Sequence, residues 1–316
     1  KRQNLFLEMG NFSKSEKNSS MHKNYTNQYS YSKLTCFEQC PFKYRLKYIE
    51  RIKPPIEQTI ENCLGKAVHS SLEWLYKEIK KGKVPSAEDL VRAYASNWRK
   101  IYSSGALITN ERMTKEDYFN RGVGFLLDYY LANYPFDDNT LDVEKKIGFE
   151  LEGRYILGFI DRLAYDKTKG EYVVHDYKTS GTLPTKERIE KDKQLSIYTL
   201  AIKELFGKTK RVLLVWHYLH FNKKIFMRKS DKDLEKVKRE LLDLIFKIES
   251  ESSFRPTPSG LCEWCEYKKY CPVFGGSPPM LMGEKRSSSN PSKSPASSDE
   301  QDPLKRFPTI KKYLRG

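Results

Sequence analysis

Two stretches decide how this chain folds: Gly158-Phe159-Ile160-Asp161-Arg162 and, after a short turn, Val173-Val174-His175-Asp176-Tyr177-Lys178. Both are rich in β-branched and aromatic residues and are separated by the turn pair Lys169-Gly170, which predicts neighbouring strands. Adjacent strands would bring Asp161 and Asp176 together at one sheet edge. Two carboxylates in a partly dry cleft repel, and a hard divalent cation relieves the repulsion by taking their oxygens as ligands. Lys178 lies two residues beyond Asp176, so the strand period puts both side chains on one face. An ammonium there can position or deprotonate a water, or offset charge on a phosphate. Metal, water and charge stabilisation are the parts of phosphodiester hydrolysis. The competing reading of Asp176 and Lys178 alone is an edge salt bridge.

Working outward, strands are expected at 141–151, 155–165 and 171–179, with Gly153 in the first turn. A helix follows over 186–206, then a strand over 211–221, a short strand near 224–227 and a helix over 231–249. Upstream the period becomes helical. Ser32 can cap a short helix holding Leu34 and Phe37 that ends at Pro41. Leu64, Val68, Leu72, Leu75 and Ile79 share one helix face that closes at Gly82. Leu90, Val91, Tyr94, Trp98 and Ile101 mark another helix, and a third covers 115–133. The order predicts an α/β fold, a mixed β-sheet flanked by helices, with a helical part over about 29–135 and a sheet part over about 141–250. Segment 1–28 reads as a disordered basic tail, and 276–316 as a Ser/Pro-rich linker with a basic end that offers a protein partner a docking peptide.

Three further groups carry chemistry. His69 sits at the border of its helix's apolar stripe, where an imidazole can reach a metal, and Glu73 one turn on can orient the ring. Gln194 and Tyr198 share a helix face, an amide and a phenol suited to neutral contacts with nucleic acid. Cys262, Cys265 and Cys271 form C-x-x-C-x5-C-P, three thiolates able to hold one metal centre from a tight turn. The fourth ligand must come from afar, and Cys40, before Pro41, fits. Cys36 can compete for that position; otherwise Cys36 and Cys63 read as buried thiols. Zinc accepts four thiolates, and disulfides are a more distant alternative.

The 57 basic residues against 41 acidic give a net charge of +16. The tails account for less than half of this excess, so the folded body is basic and suits a polyanionic partner, unless the lysines only solvate the surface. Hydrophobic residues make up 38%, enough for a real core. No apolar run reaches membrane-spanning length, and 1–28 lacks the order of a secretory signal, so the expected location is intracellular, cytoplasmic if the source is prokaryotic.

Taken in order, Gly65 to His69, Gly158 to Asp161, Asp176 to Lys178 and Gln194 to Tyr198 resemble the G-x-x-x-H, G-x-x-D, D/E-x-K and Q-x-x-x-Y pattern of the PD-(D/E)XK nucleases. Within them the chain resembles the RecB-like group that includes the AddB nuclease domain, exonuclease V and CRISPR-associated RecB-like nucleases. The resemblance implies a restriction-endonuclease-like core in which His69, Asp161, Asp176 and the Tyr177 carbonyl bind Mg²⁺ or Mn²⁺. It makes Lys178 the catalytic lysine and lets Gln194 and Tyr198 contact substrate. It also implies that Cys40, Cys262, Cys265 and Cys271 hold a [4Fe–4S] cluster stapling the two ends of the domain, with zinc as the rival. The implied activity is metal-dependent hydrolysis of DNA, as an exonuclease on single-stranded ends, in repair, recombination or CRISPR adaptation. The alternatives are a catalytically silent DNA-binding scaffold and a zinc-stapled restriction-type endonuclease.

Overall fold

Strands β2 (Thr140–Leu151), β3 (Arg154–Asp166) and β4 (Glu171–Lys178) form where the alternating pattern predicts them. This is the picture in a computed structural model that describes residues 28–279 except 57, 103–105, 109 and 111. The expectations for most of both tails, the partner-docking end included, lie outside the described residues. Gly153 and Gly170 take the left-handed backbone their turns require, with φ of 75° and 63°. β2 pairs antiparallel with β3 along nearly its whole length. On the other edge of β3, β4 pairs antiparallel only with Arg162–Asp166. The near end of that edge is taken by β1 (Gln28–Ser30), which runs parallel opposite Tyr155–Leu157. Residues 158–161 therefore face a fork between two partner strands. β5 (Arg211–Tyr218) lies parallel to β4, and β6 (Lys223–Met227) closes the sheet antiparallel.

The parallel pair needs a crossover, which α6 (Lys186–Glu190) and α7 (Lys193–Phe206) supply. One helix was expected here. It breaks because the Asp192 carboxylate accepts from the Leu195 N–H and starts α7 afresh. At the other end α1 (Tyr31–Gln39) is capped by Ser30, not Ser32, and leads through Cys40 into α2 (Pro41–Tyr44) and a π-helical turn over Arg45–Ile49. α3 (Ile60–Lys80), α4 (Ala87–Ile101) and α5 (Lys115–Asn133) form the expected helical layer, and α8 (Asp231–Ser250) the last helix. Reciprocal capping boxes begin α4, α5 and α8 at Ser86, Thr114 and Ser230.

Two cores lie on opposite sides of the sheet. One packs Ile147, Ile156, Ile160 and Leu163 against α1, α7 and α8; the other packs Val143 and Tyr177 against α3 and α5. Ile147 and Val143 are both odd-numbered yet face opposite cores, as do Ile160 and Arg162, both even. The alternation slips in both strands at one place, Glu144 and Asp161, where Glu144 has a φ of 46°. The ribbon coils there without losing register.

On the α3–α5 side the core is polar at one point. Arg162 is 1% exposed. Its guanidinium donates to the Tyr177 hydroxyl (3.1 Å), Thr140 Oγ1 (3.0 Å), Asp138 and His175 Nδ1 (2.9 Å), and stacks on Tyr76 at 4.1 Å. Since His175 Nδ1 accepts from Arg162, His217 Nε2 must donate to it, at 2.8 Å. Burial, with the Arg162 charge behind it, holds both imidazoles neutral, well below their ordinary pKa. Arg162→Leu is expected to lower stability by about 3–5 kcal/mol, since it strands several buried polar partners. Urea unfolding of the two proteins checks this.

Candidate active site

The site lies in the fork of the sheet. Where β4 begins to leave β3, a side chain continues the ladder: the Tyr177 N–H donates to Asp161 Oδ2 at 2.8 Å. On the other side of the same residue, His69 Nε2 stands 2.9 Å from the Tyr177 carbonyl. A carbonyl only accepts, so Nε2 carries the proton and the Nδ1 lone pair is left facing Asp161 Oδ1, 3.4 Å away. Two acceptors at that distance need a proton or a cation between them. Burial alone would lower the His69 pKa, but the Asp161 carboxylate outweighs it and lifts the value to about 9.

Glu144 completes the arrangement. Ligand atoms of His69, Glu144 and Asp161 lie within 4.8 Å of one another, the one such group of potential ligands among the described residues. Burial and the nearby Asp161 raise the Glu144 carboxyl pKa, as expected of acids awaiting a cation. Its left-handed backbone, unfavourable for glutamate, is a strain of the kind found at functional sites. The motif pattern misses Glu144. The signal that finds it is hairpin counting: a turn at Glu152-Gly153 pairs Leu151 with Arg154 and brings Glu144 opposite Asp161.

Asp176 and Lys178 lie on the same side of β4 beside this group, though Asp176 falls outside the tight trio. Asp176 is 2% exposed and its Oδ2 is 2.6 Å from Lys178 Nζ. The Lys178 ammonium is thus the partner of this buried oxygen. Burial raises the Asp176 pKa to about 6, with Lys178 opposing and Asp161 adding. Burial would lower the Lys178 pKa, but the Asp176 and Asp161 carboxylates outweigh it and keep the side chain a cation.

Lys178 also donates to Gln194 Oε1 at 3.2 Å, and Gln194 Nε2 donates to the Tyr198 hydroxyl at 2.8 Å. Tyr198 is 5% exposed, in the core. α7 lies across the sheet and turns both side chains toward Lys178, with Gln194 left partly exposed. Glu73, expected to orient His69, pairs with Lys77 at 2.5 Å instead. Two glycines let the elements close up. A Cβ on Gly158 would stand 2.8 Å from the Tyr198 ring, and one on Gly65 would stand 3.3 Å from Thr179 Oγ1.

Cys40, Cys262, Cys265 and Cys271 line one cavity, walled by Phe42 and Tyr267. The Tyr267 hydroxyl donates to the Ile52 carbonyl at 2.9 Å and ties the C-terminal turns to the N-terminal segment. All six cysteines are free thiols. Cys36 is buried in the core beneath α1 and Cys63 in the core under α3, neither in this cavity.

The sequence profile of the PD-(D/E)XK nuclease superfamily matches residues 28–272, almost all of the described fold. The chain belongs to that superfamily. In this PD-(D/E)XK nuclease, Asp176-Tyr177-Lys178 carries the D/E-x-K that the superfamily's name spells. Two solved structures are similar. One is a candidate exonuclease from Eubacterium rectale, with 14% identity, a TM-score of 0.49 and coverage of 88% of this chain and 96% of that one. The other is SSO0001, with 16% identity, a TM-score of 0.37 and coverage of 80% and 89%. No curated protein matches this chain.

Gly158→Val is expected to force Tyr198 off the strand at a cost of about 1–3 kcal/mol, as overpacked sites do. Thermal unfolding measures the loss.

Proposed function

We propose that this nuclease cleaves DNA with the help of Mg²⁺ or Mn²⁺, acting as an exonuclease on single-stranded ends in the manner of the RecB-like group. The observation that carries the metal-dependent reading is the pair of facing acceptors, His69 Nδ1 and Asp161 Oδ1, with Glu144 beside them. Three such groups around one point fit a divalent cation, which would take the place of the proton that His69 otherwise shares with Asp161. His69, Asp161 and Glu144 would hold the ion. Asp176 would bring its buried oxygen to the same centre, and the Tyr177 carbonyl stands close by through His69. When bound, the ion supplies Lewis acidity toward a phosphate oxygen and makes a water more acidic.

The chain's own residues do the rest. Lys178 is held as an ammonium, so it orients the attacking water and offsets phosphate charge rather than removing a proton. Gln194 and Tyr198 fix where that ammonium points. The basic body draws the polyanion in. The cavity of Cys40, Cys262, Cys265 and Cys271 suits a [4Fe–4S] cluster. Zinc accepts four thiolates too, and a four-iron cluster takes the same set. It would close a loop of more than two hundred residues, a mechanical role.

Digestion of end-labelled DNA tests the main reading. Wild type should release label only with Mg²⁺ or Mn²⁺, and Lys178→Ala should be slower by on the order of 100-fold or more. Equal inertness of both proteins would leave a DNA-binding scaffold. Ion affinity should rise with pH, first as Asp176 loses its proton near 6 and then as His69 does toward 9; calorimetric titration with Mn²⁺ at several pH values measures both the trend and the protons released. Protein purified without oxygen should contain iron and acid-labile sulfide, and Cys265→Ser should lose both and unfold at lower temperature. Stoichiometric zinc in their place would exclude the cluster.

A further inference from the structure

The coiled ribbon of β2 and β3 has one face in the core beneath α1, α7 and α8. Up to Glu144 and Asp161 its other face looks into solvent. Two aromatic rings lie on this outer face of β3: Phe159, 50% exposed, and Tyr155, 40% exposed. They share a face because they are four residues apart in a strand. Tyr155 lies across the ribbon, its hydroxyl where a Cβ of Gly148 would come within 2.6 Å. Lys146 stands directly opposite Phe159 in the register and is exposed.

Phe159 is two residues from Asp161, about 7 Å along the strand. It lines the same open cleft as His69, Glu144 and the exposed Lys66 of α3. An exposed ring has no packing reason to sit there, and burying it would stabilise the fold. Its position suits a flat partner arriving beside the ion site. The cleft's carboxylates would repel a bare polyanion, but Lys66 and Lys146 flank the ring and can take phosphates on either side of a base.

We infer that Phe159 is a stacking platform for an unpaired nucleobase next to the phosphodiester being cut, and so sets the preference for single strands. Tyr155 continues the platform away from the cleft. A base inside a duplex has both faces covered by its neighbours and offers none to Phe159, so paired interior positions gain nothing from the ring. This inference rests on the nuclease reading and adds to it the residue that senses strandedness.

The test measures binding in a Lys178→Ala background, where cleavage does not interfere. The probes are a fluorescent oligothymidylate and a blunt hairpin duplex. Phe159→Ala should weaken oligothymidylate binding roughly 5- to 150-fold, the loss of one stacked base, and change hairpin binding less than twofold. Phe159→Trp should restore binding, while Phe159→Leu, which keeps bulk but not the ring face, should not. With otherwise unmodified protein, 2-aminopurine placed at successive positions of the oligonucleotide should be quenched most strongly at one position, and Phe159→Leu should abolish that quenching. Binding by Phe159→Ala within twofold of the parent, or full rescue by leucine, overturns the inference. If wild type cleaves nothing with Mg²⁺ while the ring still governs single-strand binding, the hydrolytic reading fails and the platform stands.

Discussion

The backbone of Tyr177 is the constraint on which the site depends. Its N–H holds Asp161, its carbonyl holds His69, and its neighbours in the chain are Asp176 and Lys178. Four side chains of the candidate site are thus indexed to the two peptide planes that meet at the Tyr177 Cα. Tyr177 is itself fixed from behind, because its hydroxyl accepts from Arg162, the residue after Asp161. Adjacent residues on both strands serve opposite faces of the sheet: Asp161 and Lys178 look toward the cleft, Arg162 and the Tyr177 ring into the core. The candidate site on one face is held in register by a buried polar lock on the other. This explains why a fully buried arginine is tolerated in a layer otherwise filled with leucine and aromatic rings.

Most of the fold was legible because it rests on periodicity. The steps of Leu64, Val68, Leu72, Leu75 and Ile79 mark α3, and the strand patterns mark the sheet to within a few residues. What escaped rests on tertiary context. β1 is three residues long and has no signal of its own; it exists only because β3 offers a free edge. The break between α6 and α7 turns on whether the Asp192 side chain or the helix takes one N–H. In the candidate site, the motif residues converge as spacing implied, while Glu144 stayed hidden, since nothing local distinguishes it from Lys146 or Glu150. Gln194 and Tyr198 show a related limit: an i, i+4 pair says that two residues share a helix face, not which way the face points.

The two ends of the described fold meet away from the cleft. Phe42, Leu46, Ile52 and Tyr267 form a small third core, and the cysteines that line its cavity come from both ends of the domain. The sheet's far edge, β1, belongs to the same N-terminal segment that carries Cys40. Any centre bound by those thiols would therefore bear on the strand that flanks the fork, through α1 and without touching the cleft.

The hairpin of β2 and β3 has a consequence for how this nuclease can vary. Its tip at Glu152-Gly153 sets the pairing count, and Glu144 meets Asp161 only because that count is kept for the length of the ribbon. One residue added at the tip would advance β2 by a notch, swap its inner and outer faces, and bring Lys145 or Val143 opposite Asp161. Drift in loop length, harmless at most surface turns, is confined here to changes that leave the pairing of Glu144 with Asp161 intact, so the most distant point of the ribbon acts as the gauge for its chemistry.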